Sequence, residues 1–390
     1  MSTLPAKFTA TLEQVIPPED GYIGLHEPQF AGAEWKYVTE CLDSGWVSSV
    51  GSYVDRFEAD LAKYTGAAAV VATVNGTAAL QTCLQLSGVI AGDEVLIPAL
   101  TFVATANAAH YLGAVPHFVD IEPQSFGVDP DKLADYLKNN SKIIDGFCHN
   151  KKSGNRISAL VVVHIFGHPA PLDELAAVCD QYNIKLVEDA AEGLGSFYKD
   201  IHVGRHSDYA ALSFNGNKII TTGGGGAILC RSLELAKKAK HLTTTARADE
   251  GFSLAHDEVG YNFRMPNLNA ALGCAQLEQL PKWLTTKRKL AQRYQKYFAD
   301  FSELSVLDEP KGAKSNFWLN AILLDRANVG ERDAILTAAK EARYLLRPAW
   351  RLMHRLPMYK NSPRADLSNA LDLQPRLINL PSTPRLLATS

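Results

Sequence analysis

The sequence predicts an α/β protein, with a largely parallel sheet covered by helices on both faces and a smaller α/β domain at the C-terminal end. Three observations predict it. Apolar strand-like runs alternate with helical patterns between residues 68 and 190. Two further strands, "DYAALSFN" and "GAILC", then follow each other closely. After about residue 260 the alternation stops, and one long amphipathic helix leads into a mixed tail.

The elements follow in order. Residues 1–24 are polar and contain proline, which reads as an N-terminal arm. "AAVVAT" (68–73) precedes the helical "NGTAALQTCLQLSGV", and "DEVLIP" (93–98) precedes "TFVATANAAHYLGA". "VPHFVDI" (115–121) leads to "DPDKLADYLKN", and "ISALVVVHIFG" (157–167) to "APLDELAAVCDQYN". "IKLVEDA" (184–190) closes the alternation. "GAILC" runs into a Leu/Lys-rich helix at 232–242, and a long helix is expected over 268–299. "NFWLNAILL" reads as a strand of the smaller unit, followed by an Ala/Glu-rich helix and a Pro-rich tail. The expected division is an arm over 1–24, a large domain over 25–260 and a small domain over 261–390.

With 390 residues the chain has ample core, and 46% hydrophobic and 21% charged residues are ordinary for a globular protein. A net charge of -3 points to neither a nucleic-acid nor an anionic-membrane partner. The N-terminus lacks the apolar core of a signal peptide, and no run reaches membrane-spanning length. Six scattered cysteines, none in a C-x-x-C pair, read as small buried hydrophobes and fit a reducing cytoplasm.

The stretch "SFNGNKIITTGGGG" sets a single lysine, Lys218, between a strand and four glycines. Lys218 is then a solvated turn residue, or the glycines cradle a phosphate, or Lys218 forms a Schiff base and the glycines let the backbone pass close to a cofactor. The phosphate-loop spacings G-x-G-x-x-G and G-x-x-x-x-G-K-[ST] are absent from this segment. Asp189 ends the strand "KLVEDAAEGLG", where open α/β sheets bind ligands, although a helix cap or surface acid fits there too. A lysine that forms an imine and an aspartate that keeps a pyridine nitrogen protonated are what pyridoxal 5′-phosphate requires. "TVNGTAALQ" follows a strand and opens a helix, so Gly76 and Thr77 offer backbone N–H groups to a phosphate, with Ser213 adding a hydroxyl. A plain turn and cap is the alternative. Phe102 is placed to stack on the ring, or is a core residue.

The run "EDAAEGLGSFYKDIHVGRHSDYAALSFNGNKIITTGGGGAIL" resembles the signature of the pyridoxal-phosphate sugar aminotransferases of the DegT/DnrJ/EryC1/StrS group. The resemblance extends to "NGTAALQ", "IPALTFVATANA", "HIFGHPA", "GYNFRMPNLNAALGCAQLEQL" and "INLPSTP", and covers about residues 23–385. It implies the fold type I of aspartate aminotransferase, with a mostly parallel seven-stranded sheet. It implies that Lys218 carries the cofactor and shuttles the proton, and that Asp189 faces the ring nitrogen. Gly76, Thr77 and Ser213 match phosphate contacts, and Phe102 the stacking aromatic. Asn262, in "GYNFRM", matches an asparagine that reaches the phosphate of the neighbouring subunit, which implies a homodimer with shared sites. Glu192 stands where many relatives carry His or Gln near the ring oxygen. The related sugar dehydratases carry His where Lys218 stands, so Lys218 argues for transamination. "LHEPQFAGAEWKYV" and "RPAWRLMHRLPMYK" resemble the subgroup that aminates C4 of UDP-linked 4-keto-6-deoxy-N-acetylhexosamines, with glutamate as the amino donor. GDP- or dTDP-linked keto sugars, C3 amination and dehydration are the alternatives, and a non-catalytic sensor would have lost Lys218 or Asp189.

Four other positions stay open between a site and a structural role: Trp46 and Ser48 towards a nucleotide sugar, and Arg347 and Trp350 towards sugar or diphosphate. No metal is expected, because His164 and His168 in "HIFGH" have no partner ligands at zinc spacing.

Overall fold

A computed structural model describes residues 3–248 and 255–387. Seven strands form the main sheet: β1 (Ala69–Thr73), β2 (Glu94–Pro98), β3 (Val115–Val119), β4 (Ile157–Val163), β5 (Lys185–Asp189), β6 (Tyr209–Ser213) and β7 (Gly226–Cys230). Their order across the sheet is β3-β2-β4-β5-β6-β7-β1. Only β7 runs antiparallel to its neighbours β6 and β1. All seven residues of β4 are buried, as an apolar run in a doubly covered sheet requires.

Helices supply the crossovers. α1 (Leu4–Val15), α2 (Glu34–Ser44) and α3 (Ser52–Thr65) precede the sheet. α4 (Gly76–Leu86), α5 (Val103–Tyr111), α6 (Pro130–Asn140) and α7 (Leu172–Tyr182) lie between its strands, and α8 (Leu233–Thr243) follows β7. α6 starts where its sequence directs: Asp129 accepts from the Lys132 N–H, and Pro130 takes the first helical position. A hairpin pairing Ser141–Ile144 with Phe147–Asn150, absent from the sequence reading, follows α6. Glu94, at the start of β2, accepts from Asn150 (2.8 Å) and Ser153 (2.5 Å) and pairs with His117 (2.7 Å), so a buried acid fastens that hairpin to the sheet.

α9 (Asn267–Tyr297) is the long helix expected over 268–299. Beyond it, β8 (Leu304–Val306), β9 (Asn320–Leu324), β10 (Arg347–Pro348) and β11 (Leu377–Leu380) form an antiparallel sheet in the order β8-β9-β11-β10, with α10 (Arg332–Glu341) and α11 (Ser368–Leu373). Packing divides α9 between two cores. Ala270, Cys274 and Leu280 join the main core, whereas Leu290, Tyr294 and then Phe298 join a second one. The polar arm expected over residues 1–24 is instead helical over Leu4–Val15, with Pro5 in its first turn and Phe8, Leu12 and Val15 buried in the second core. Their i, i+4, i+7 spacing makes one apolar face, which an average over polar residues conceals. All six cysteines are buried and free. Among the described residues no helix is long and apolar enough to cross a membrane.

Burial also sets a pH response. It pushes His168 and His202 down to about 4. The Gly195 N–H donates to Nε2 of His202 (2.9 Å), so protonation there removes an acceptor. The unfolded chain binds these protons first, so their stabilisation is complete above about pH 6.5 and is lost towards pH 4. The unfolding temperature is expected to fall as pH drops through this window. His168→Phe, which retains the edge-to-face contact with Phe317 without a titrating group, is expected to flatten the fall. A calorimetric pH series on both proteins checks it.

Candidate active site

A cavity of about 280 Å³ opens at the carboxyl ends of β1, β2, β4, β5 and β6, a span that includes the point between β2 and β4 where the strand order reverses. Eight of the residues singled out from the sequence line it: Gly76, Thr77, Phe102, Asp189, Glu192, Ser213, Lys218 and Trp350.

Glu188 and Asp189 end β5 with opposite fates, because successive strand residues face opposite sides. Glu188 turns away from the cavity. It accepts from the N–H groups of Gly204 (2.5 Å), His206 (2.9 Å) and Ser207 (3.0 Å) and contacts His164 (3.3 Å). Burial pushes its carboxyl up, but His164 and these hydrogen bonds outweigh burial and hold it at about 2. Asp189 lines the cavity and accepts from the Thr105 hydroxyl (2.8 Å) and the Ala191 N–H (3.2 Å). Burial dominates there and raises its carboxyl above the usual range.

Opposite lies the start of α4. Asn75 caps the helix by accepting from the Ala78 N–H (2.8 Å), which leaves the N–H groups of Gly76 and Thr77 without intrahelical partners. Gly226, the last of the four glycines after Lys218, has a packing reason. Gly226 pairs with Thr73 on one side and Ser213 on the other, and a Cβ there would lie 2.5 Å from the Asn75 carbonyl carbon. A Cβ on Gly76 would lie 2.7 Å from the Ser213 Cβ. β7 therefore passes directly against the turn into α4.

Lys218 follows β6 in a turn closed by its own N–H on the Asn215 carbonyl (3.0 Å). Its amine lies 3.3 Å from Glu192 Oε1 and 4.1 Å from the centre of the Trp318 ring. The other Glu192 oxygen accepts from the Phe166 N–H (2.8 Å), and burial raises this carboxyl.

Phe102 is half exposed at the mouth, with ring centres 6.3 Å from Trp350, which stacks on Phe166. Trp350 lines the cavity, whereas Arg347 is exposed and does not. Trp46 is exposed; its carbonyl and that of Ser48 accept from Asn267 (2.7 and 2.6 Å). His164 is taken up by Glu188, and His168 packs on Phe317. Asn262 is exposed outside the cavity and accepts from Arg264 (3.1 Å).

Three residues escaped the sequence reading. Thr105 orients Asp189. Asn316 donates to the carbonyls of Glu192 (2.7 Å) and Leu194 (2.9 Å), and Trp318 walls the cavity beside Lys218. The available signal was "SNFW", a polar pair and two aromatics at the entrance of a strand.

The model of the DegT/DnrJ/EryC1/StrS aminotransferase family matches residues 28–389. A GDP-perosamine synthase of Vibrio cholerae is 35% identical, over 93% of this chain and 95% of its own. A second, from Escherichia coli O157:H7, is 34% identical over 94% of each chain. The PLP form of Spr1654 of Streptococcus pneumoniae superposes with a TM-score of 0.82 at 25% identity, over 93% of each chain. The chain belongs to the DegT/DnrJ/EryC1/StrS aminotransferase family, and its cofactor is pyridoxal 5′-phosphate.

Proposed function

We propose that the protein moves an amino group from an amino acid, glutamate by family expectation, to the keto carbon of a nucleotide-linked sugar, with a GDP-linked keto sugar as the acceptor. The observation that carries the transfer reading is Lys218 and Asp189 in one cavity with an open helix N-terminus. The GDP linkage rests on the names of the relatives, which favour it over the UDP-linked N-acetylhexosamine expected from two sequence stretches.

The donor set fits the cofactor. Asp189 is a buried carboxylate aimed into the cavity with no cation bonded to it among the described residues, and a protonated ring nitrogen would supply one. Gly76 and Thr77 N–H groups, with the Ser213 and Thr77 hydroxyls, suit a phosphate. When bound, pyridoxal 5′-phosphate supplies an electron sink and carries the amine between substrates. Thr105 holds Asp189 in the orientation needed to keep the ring nitrogen charged. Phe102 covers the ring at the mouth. Lys218 holds the cofactor at rest; once released, its Nζ takes a proton from the Cα of the donor and delivers it to a second carbon on the same face, and it reverses this for the acceptor. Glu192 stabilises the ammonium formed in between.

Asn262 is proposed to serve the partner's cofactor phosphate in a homodimer. Its exposure outside its own cavity supports this. So do the exposed Trp46 and Val50, in a segment bonded to Asn267.

Four outcomes follow. Borohydride fixes the cofactor to the Lys218 peptide. Asp189→Asn keeps that label but loses turnover by roughly two to three decades, the scale of one lost charge-stabilising contact; a near-normal rate makes Asp189 a structural acid. A panel of GDP-, dTDP- and UDP-linked keto sugars with glutamate, read by product mass, gives an aminated GDP sugar; amination of a UDP sugar alone overturns the linkage but not the reaction. In the fourth, Lys218→Ala and Asn262→Asp, each poorly active alone, are co-expressed. One site of the mixed dimer then carries neither defect, and activity recovers to about half per heterodimer. Exchange of subunits without recovery places Asn262 in its own chain's site.

A further inference from the structure

Lys287, on α9, is the only buried lysine among the described residues. Its amine donates to the carbonyls of Trp318 (3.1 Å) and Ser382 (2.5 Å), and no carboxylate pairs with it among the described residues. Burial pushes this amine well below the ordinary lysine range. Withdrawing an amine from water with no counter-ion is unfavourable, and an apolar side chain of similar length would fill the same space. What the amine adds is a fixed position for two carbonyls.

The Trp318 carbonyl is the informative one. The Trp318 indole N–H donates to the carbonyl of Asn217 (2.7 Å), the residue before Lys218. Its ring face lies 4.1 Å from the Lys218 amine. Its backbone N–H donates to Asn316 Oδ1 (2.6 Å), and the amide nitrogen of that side chain holds the Glu192 carbonyl. The same tryptophan is thus tied to the turn that carries Lys218, to the amine itself, and through Asn316 to the amine's other neighbour, Glu192.

We propose that Trp318 is a positioning residue for Lys218, holding its amine in place whenever it is not bonded to the cofactor, and that Lys287 anchors Trp318 for this task. The inference rests on the role proposed for Lys218. In that role Nζ accepts one proton from the donor's Cα and gives one proton back, so the proton stays on a single nitrogen between two carbons. An amine held between the Trp318 face and Glu192 stays aligned with both carbons. A released one turns towards water and exchanges the proton.

The test uses protein loaded with pyridoxamine 5′-phosphate, in which Lys218 is free. Limiting acetic anhydride at one pH is followed by mass spectrometry, with exposed Lys237 as the internal reference. Trp318→Leu is expected to raise Lys218 acetylation about fivefold, which corresponds to ~1 kcal/mol of lost cation–ring contact. Lys287→Met, which keeps the tryptophan residue but removes its anchor and lies outside the cavity lining, is expected to raise it in the same direction. Trp318→Phe, which keeps a ring, shows a smaller rise. With a donor deuterated at Cα, the fraction of deuterium carried to the second carbon falls in Trp318→Leu; as a ratio it does not depend on how much protein is folded. Unchanged acetylation and unchanged deuterium transfer in Trp318→Leu overturn the proposal, and this variant decides alone if Lys287→Met does not fold. Borohydride labelling of the same samples separates the two levels. Cofactor fixed elsewhere than Lys218 sinks the role of Lys218, whereas cofactor fixed on Lys218 with unmoved labelling sinks only the role of Trp318.

Discussion

The insertion of β7 between β1 and β6 is the constraint on which the site depends. Gly226 must pair with Thr73 and with Ser213 at once, and it does so against the backbone of Asn75 and Gly76. That contact brings the open N-terminus of α4 beside the end of β6, so the phosphate-type donors and the lysine turn face one cavity. Any side chain at Gly226 would meet backbone rather than a movable group, so the two loops would have to separate.

The two acids at the end of β5 show how one strand serves fold and chemistry together. Glu188 collects backbone N–H groups of residues 204, 206 and 207 and stays ionised. Asp189, one residue on, has only two donors in a buried setting, so its charged form gains most from a cationic partner in the cavity. The strand's alternation separates an anchor from a reactive group within one peptide unit.

The main sheet was legible because its strands are apolar on both faces, and β4 shows this over its whole length. The 141–150 hairpin was not, since Lys142, Ile143 and Ile144 are exposed and follow no burial rhythm. α1 was obscured by composition, although its apolar spacing was present. In the site, Lys218, Asp189, Gly76 and Ser213 were legible because each lies at a strand end beside a turn signal. Thr105, Asn316 and Trp318 were not, because tertiary contact defines them: Asn316 bonds to residues more than a hundred positions away. Glu192 was placed near the cofactor but not against Lys218, a pairing that only geometry supplies.

The second core takes α1 from one end of the chain and Leu380 and Leu386 from the other. Arg385 reaches back to Glu19 (2.6 Å) and Glu27 (2.6 Å), and the Glu27 N–H donates to Thr383 (3.0 Å). α1 therefore leaves the ribosome long before Leu380 and Leu386 are made, and its apolar face waits through the synthesis of the main sheet. The sheet strands and their crossovers are adjacent in sequence and can assemble meanwhile. Completion of the second core waits for the synthesis of β11 and Leu386.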